Sequence, residues 1–113
     1  MRNKKIIAVD FDGTLSRADW PCAGDPNWPL IEYLKARQRE GSKLILWTCR
    51  SGEALERAIS WCRDEIHLTF DAVNDNVPEV VARYGNNSRK ISCDLYIDDQ
   101  ACEPELLLSG NRL

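Results

Sequence analysis

Apolar residues along the chain come in short unbroken runs, and between the runs they recur at helical spacing. Residues 5–10 form the first run, Ile6 to Val9 closing on Asp10. A run without polar alternation is the pattern of a strand buried on both faces. An irregular stretch follows, SRADWPCAGDPNWP, with three prolines, a glycine and two tryptophans. A helix is expected from Asn27 as its cap, with Pro29 in the first turn, Leu30, Ile31 and Leu34 on one side, and a stop at Gly41. KLILW, residues 43–47, reads as a second buried strand, with TCRSG directly behind it. A second helix is expected over 51–64, carrying Glu53 in its first turn and Ala54, Leu55, Ala58, Ile59 and Cys62 at helical spacing. A third, shorter strand falls within 66–73. Asn76 then caps a short helix that has Val80, Val81 and Tyr84 turned inward and Gly85 closing it. The last strand covers 91–97, opened by Asp94, which reads as structural. Strand and helix alternate throughout. That alternation predicts an α/β fold, a three-layer Rossmann-like domain with a mostly parallel sheet, helices on both faces and right-handed crossovers.

In open parallel sheets, ligands bind beyond the carboxyl ends of the strands. Those ends carry Asp10 and Asp12, then Thr48, then Asp98 and Asp99. A turn accounts for Asp12 before Gly13, but not for Asp10, which still belongs to the apolar run. Two carboxylates so close raise each other's pKa unless a cation lies between them, and a carboxylate-rich set suits Mg²⁺. Thr48 precedes a helix N-terminus, where a hydroxyl and backbone N–H groups favour a phosphate. Arg50 is placed to assist anion binding. Asp98 and Asp99 are adjacent, so on a strand they face opposite ways: one reaches a metal and the other supports the metal or a lysine. Lys90, with Arg89 as its rival, would balance the charge of such a site. Trp47, Trp61 and His67 read as packing residues, while Trp20 and Trp28 flank the irregular stretch and could wall the site.

The chain has 113 residues, enough for one core and not for two. Fifteen Lys and Arg against eighteen Asp and Glu leave a formal charge of −3, which offers no broad attraction to nucleic acid or anionic lipid. The N-terminal basic residues Arg2, Lys4 and Lys5 precede an apolar run far short of the ~20 residues of a membrane span, and a signal peptide also needs a longer run. A cytoplasmic location is the expectation. Five cysteines at wide, irregular gaps contain no C-x-x-C pair, and His67 is the lone histidine. This argues for reduced structural thiols rather than zinc; Cys49 stands apart because it lies beside Thr48 and Arg50.

VDFDGTL, the Thr of ILWT, the Lys of SRK and the acids of YIDD stand in the order of the four motifs of the haloacid dehalogenase superfamily. Over residues 5–99 the text resembles a branch of small, capless bacterial and phage hydrolases, through ILWTCRSG, FDAVN, SRKI and DLYIDD. The resemblance implies a single capless domain over 1–113 and a Mg²⁺-dependent phosphatase, a phosphomonoester hydrolase acting through a phosphoaspartate. It makes Asp10 the nucleophile and a metal ligand. Asp12 becomes the acid that protonates the leaving oxygen, with its backbone carbonyl on Mg²⁺. Thr48 and Lys90 hold the phosphoryl group, joined by Gly13 and Arg50, while Asp98 ligates the metal and Asp99 supports the metal or Lys90. The segment 15–27 is too short for a cap and is expected to be a flap. Behind the acids the tail, residues 100–113, falls outside the resemblance. The implied partner is a small phosphorylated molecule, with nucleic acid entering only as a phosphorylated end and no membrane. Substrate choice would rest on the flap, on Trp20 and Trp28, or on a second subunit of a homo-oligomer. Two other classes fit parts of the pattern: a phospho-accepting receiver-like signalling module, and a catalytically idle relative that only binds. Receivers, however, resemble a different motif order, and they lack an acid two residues after the acceptor.

Overall fold

The computed structural model describes residues 5–88 and 90–99; Arg89, the N-terminal Arg2 and Lys4, Cys102 and the tail from 100 to 113 lie outside the described residues. Four strands, β1 (Ile6–Val9), β2 (Lys43–Leu46), β3 (Ala72–Val73) and β4 (Leu95–Ile97), alternate with three helices, α1 (Trp28–Arg39), α2 (Gly52–Asp64) and α3 (Pro78–Tyr84). The sheet is parallel throughout, in the order β3-β2-β1-β4. This is an α/β Rossmann-like fold. The chain steps one way from β1 to β3 and then crosses back to place β4 on the far side of β1. The order therefore reverses between β1 and β4.

Side-chain alternation in the two central strands builds a core on each face. Ile7, Val9, Leu44 and Leu46 pack with Ile31 and Leu34 of α1 and with Ala58 and Cys62 of α2. Ala8 and Ile45 turn the other way, onto Val77 and Ile91, with Val80 partly buried beside them. Two crossovers of one hand in one direction place α1 and α2 together, and the reversed step puts α3 opposite. From Ile7 to Val9 and from Leu44 to Leu46 every residue is apolar and buried, because water reaches neither face there.

The helix ends show which local signals decide. Asn27 caps α1 as expected, its side-chain oxygen accepting from the Leu30 N–H at 3.4 Å. At α3 the residue before the helix is Val77, and no side chain caps it. Asn76 is instead buried and bonds Asn87, the Ser88 carbonyl and the Ser92 N–H. A buried amide surrounded by three partners on another loop satisfies itself there rather than on its own helix. Tyr84, expected inward, is 62% exposed, and His67 is exposed in a left-handed conformation (φ 57°) rather than packed. β4 is shorter than the expected 91–97; Asp94 pins its start to β1, exchanging hydrogen bonds with Ile6 at 2.7 Å. Among the described residues no helix is long and apolar enough to cross a membrane.

Candidate active site

The loop after β1 is anchored before it is functional. Phe11 and Leu15 are wholly buried on either side of Asp12, Gly13 and Thr14, and burying each such side chain contributes about 1.5–3 kcal/mol. The backbone N–H groups of Thr14, Leu15 and Ser16 all point at the Phe11 carbonyl. Beyond them the segment 15–27, the one expected to serve as a flap, folds back on itself through the Ser16–Pro26 bridge. Its base is tied by Ser16, whose hydroxyl donates to the Gly24 carbonyl at 2.9 Å, and by Asn27, whose amide donates to the Thr14 carbonyl at 3.0 Å. The flap carries Trp20 at its outer turn, 61% exposed.

Asp10 follows β1 directly, and its N–H donates to the carbonyl of Ile97 at the end of β4. That bond seats it at the reversal of strand order, the position where open α/β sheets form their ligand crevice. Carboxylate oxygens of Asp10, Asp98 and Asp99 all lie within 4.8 Å of one another. Burial first, and then the charge of Asp98, push the Asp10 carboxyl up to about 6; hydrogen bonds from the Phe11 backbone and the Thr14 hydroxyl (3.3 Å) oppose the rise. Asp99 is also raised, through lost hydration and through its hydrogen bond with Asp98. These oxygens form the kind of donor set that suits a hard divalent cation such as Mg²⁺.

Adjacent acids on a strand face opposite ways, yet Asp98 and Asp99 share this cluster. β4 ends at Ile97, so both acids stand in the turn beyond it, and strand alternation no longer governs them. Asp12 lies past the end of β1 in the same way, and its carboxylate is not in the cluster. It meets Arg50 in a two-point ion pair at 2.9 and 2.8 Å. Arg50 was expected to assist an anion; its guanidinium is committed to Asp12 and to flap carbonyls instead. Gly13 departs from expectation as well. Its N–H donates to the Ser16 carbonyl and so is not aimed at a phosphate. What the glycine supplies is room, since a side chain built there, at φ 79°, would run into the Asp99 carboxylate.

A cavity of about 260 Å³ opens beside the acids, lined by Asp10, Trp47, Thr48, Cys49, Asn74 and Asp98. Every strand of the sheet ends at this cavity. Thr48 presents a hydroxyl that accepts from the Arg50 N–H at 3.1 Å and keeps its own proton to donate. Cys49 is exposed, whereas burial pushes the Cys62 thiol up to about 12. The four described cysteines are all free. Lys90 is exposed on the loop that Asn76 holds, and its ammonium pairs with none of the described carboxylates. Trp28 lies on α1 with Lys35 against its ring, away from the cavity lining. A larger hollow of about 530 Å³ lies at the opposite end of the strands, by Lys5, Tyr33, Arg37 and Asp94. Among the described residues it gathers no comparable cluster of acids, so chemistry rather than size selects the smaller one.

Sequence reasoning missed Thr14, Asn74 and Asn76. Asn74 adopts a left-handed conformation (φ 52°), which asparagine tolerates, and its side-chain oxygen accepts the Thr48 N–H at 2.7 Å. It thereby fixes the end of β2 from β3. The cue for it was an asparagine directly behind a short apolar strand, within FDAVN.

The described residues thus define a parallel α/β protein with a carboxylate cluster and a small polar cavity at its topological switch point. No protein-family model matches the chain, and no curated protein matches it significantly. Among solved structures, a conserved protein coded by a locus from Bacteroides thetaiotaomicron is similar at 37% sequence identity and a TM-score of 0.76, the match covering 98% of this chain and 94% of that one. The chain belongs to the same family as that conserved Bacteroides protein.

Proposed function

We propose that the chain is a Mg²⁺-dependent phosphatase of the haloacid dehalogenase type, hydrolysing a small phosphomonoester through a phosphoaspartate on Asp10, in a cytoplasmic setting. The observation that carries this reading is the meeting of Asp10, Asp98 and Asp99 within 4.8 Å, beside the cavity of Thr48, at the switch between β1 and β4. A metal held by Asp10, Asp98 and Asp99 would neutralise the repulsion between a carboxylate and a phosphate dianion. An Asp10 oxygen forms a bond to phosphorus while the bond to the leaving oxygen breaks, and that oxygen takes a proton from Asp12. Water then attacks the phosphorus and gives a proton to the Asp12 carboxylate, which frees Asp10 and orthophosphate. Thr48 donates to the phosphoryl oxygens, and Lys90 supplies compensating charge from its loop. A cavity of about 260 Å³ accommodates a phosphoryl group and a small part of its substrate; the rest would lie against the flap and Trp20.

The test is a phosphate-release screen over a panel of phosphorylated metabolites, with Mg²⁺ and with EDTA. We expect turnover that requires Mg²⁺ and is abolished by Asp10→Asn. Turnover that survives this substitution sinks the mechanism. A receiver-like module would instead retain label from acetyl phosphate as a lasting phosphoprotein without catalytic release.

A further inference from the structure

Arg50 is the most enclosed charged side chain near the site, 3% exposed. Its Nε donates to Asp12 Oδ2 at 2.9 Å and its Nη2 to Asp12 Oδ1 at 2.8 Å. Nη2 also reaches the carbonyls of Pro21 and Cys22, at 3.2 and 3.1 Å, and Nη1 reaches the carbonyl of Ala54 at 3.1 Å. The guanidinium carbon lies 4.8 Å from the ring centres of both Phe11 and Trp20. Only arginine combines a planar fork matched to a carboxylate with faces that stack on aromatic rings. One residue thus joins the catalytic loop, the first turn of α2 and the flap. Asp12 and the carbonyls take four of the five guanidinium N–H groups, and the side chain is 1% exposed, so a phosphate oxygen could reach at most one enclosed Nη1 N–H without displacing them. Each Asp12 oxygen keeps a lone pair beyond the one used by Arg50, so the grip orients the carboxylate without occupying it fully.

We infer that Arg50 is a positioning residue, which holds the Asp12 carboxylate in its working direction and couples it to the Trp20–Cys22 flap, and that it does not bind the transferred phosphate. The inference rests on the phosphatase reading above. Steady-state kinetics with Mg²⁺ and p-nitrophenyl phosphate, or the most active member of the metabolite panel, test it on Arg50→Ala and Arg50→Lys. Both lower kcat about tenfold or more, the lower end of what a positioned acid contributes. KM and inhibition by inorganic phosphate stay within about twofold, because uniform ground-state binding is untouched. Lysine does not rescue, since a point charge cannot hold two oxygens. In an Asp12→Asn background, Arg50→Ala causes no further loss, because the residue it acts through is already gone.

A tenfold rise in KM or in the phosphate inhibition constant with kcat preserved overturns the inference. So does a further loss in the Asp12→Asn background. If Arg50→Ala does not fold, Arg50→Lys and Trp20→Ala carry the same test, the latter lowering kcat without raising the phosphate inhibition constant. If the wild-type chain releases no phosphate from any substrate, the phosphatase reading is what has failed. The pair itself is then read by NMR of the Arg50 Nε–H resonance, which must move on Asp12→Asn; an unchanged resonance overturns the pairing.

Discussion

Burial and the charge of Asp98 raise Asp10 from 3.8 to about 6, so between those values the folded chain keeps a proton that the unfolded chain has lost. The stability contributed by this group is therefore greatest below pH 4 and falls as pH rises toward 6. In EDTA, Asp10→Asn should raise the thermal midpoint relative to wild type at pH 7 and by clearly less at pH 4.5. A difference independent of pH would show that Asp10 does not carry this repulsion. Gly13→Ala meets two obstacles, a left-handed φ of 79° and the Asp99 carboxylate. The backbone cost alone is about 1–2 kcal/mol, and denaturant unfolding together with a loss of Mg²⁺ affinity should report it. At this scale the acids were legible because a carboxylate that ends an apolar run is out of place unless something holds it. Thr14 and Asn74 were not, since hydroxyls and amides are ordinary turn residues until a partner comes within reach. Arg50 was visible as a cation but not as the partner of Asp12, 38 residues away along the chain.

The elements were legible where propensity and burial agree. Proline in the first turn and an asparagine cap open α1 as the sequence indicates. The reading failed where a tertiary partner outbid a local one. Asn76 leaves α3 uncapped and secures the loop bearing Lys90 through Asn87, Ser88 and Ser92. Replacing it with alanine takes away the acceptor of the Ser92 N–H and removes three hydrogen bonds, two of them donated by the buried amide itself. Asn76→Ala should cost about 1–3 kcal/mol in urea unfolding, and phosphate release should fall with it if that loop delivers Lys90. Full activity in the folded variant would detach Lys90 from the chemistry. The acids behind β4 are a second case. The strand stops at Ile97 as the sequence indicates, so Asp98 and Asp99 stand in the turn beyond it and both join Asp10, whereas strand parity had set them on opposite faces.

Across the whole molecule, alternation and handedness indicate a parallel sheet, but they do not order its strands. The order β3-β2-β1-β4 is what brings the end of β4 against Asp10 and creates the crevice. Apolar runs without alternation also foretold that both faces would be covered, and two separate core clusters cover them. The central claim is that Asp10 forms a covalent phosphoryl intermediate, and trapping tests it most directly. The Asp12→Asn chain, incubated with Mg²⁺ and an active phosphomonoester and then quenched in acid, should carry one phosphoryl group on the peptide containing Asp10, visible by mass spectrometry. EDTA and the added Asp10→Asn substitution should both abolish it. Phosphate release by the wild-type chain with no adduct at Asp10, or an adduct that persists in Asp10→Asn, would contradict the account.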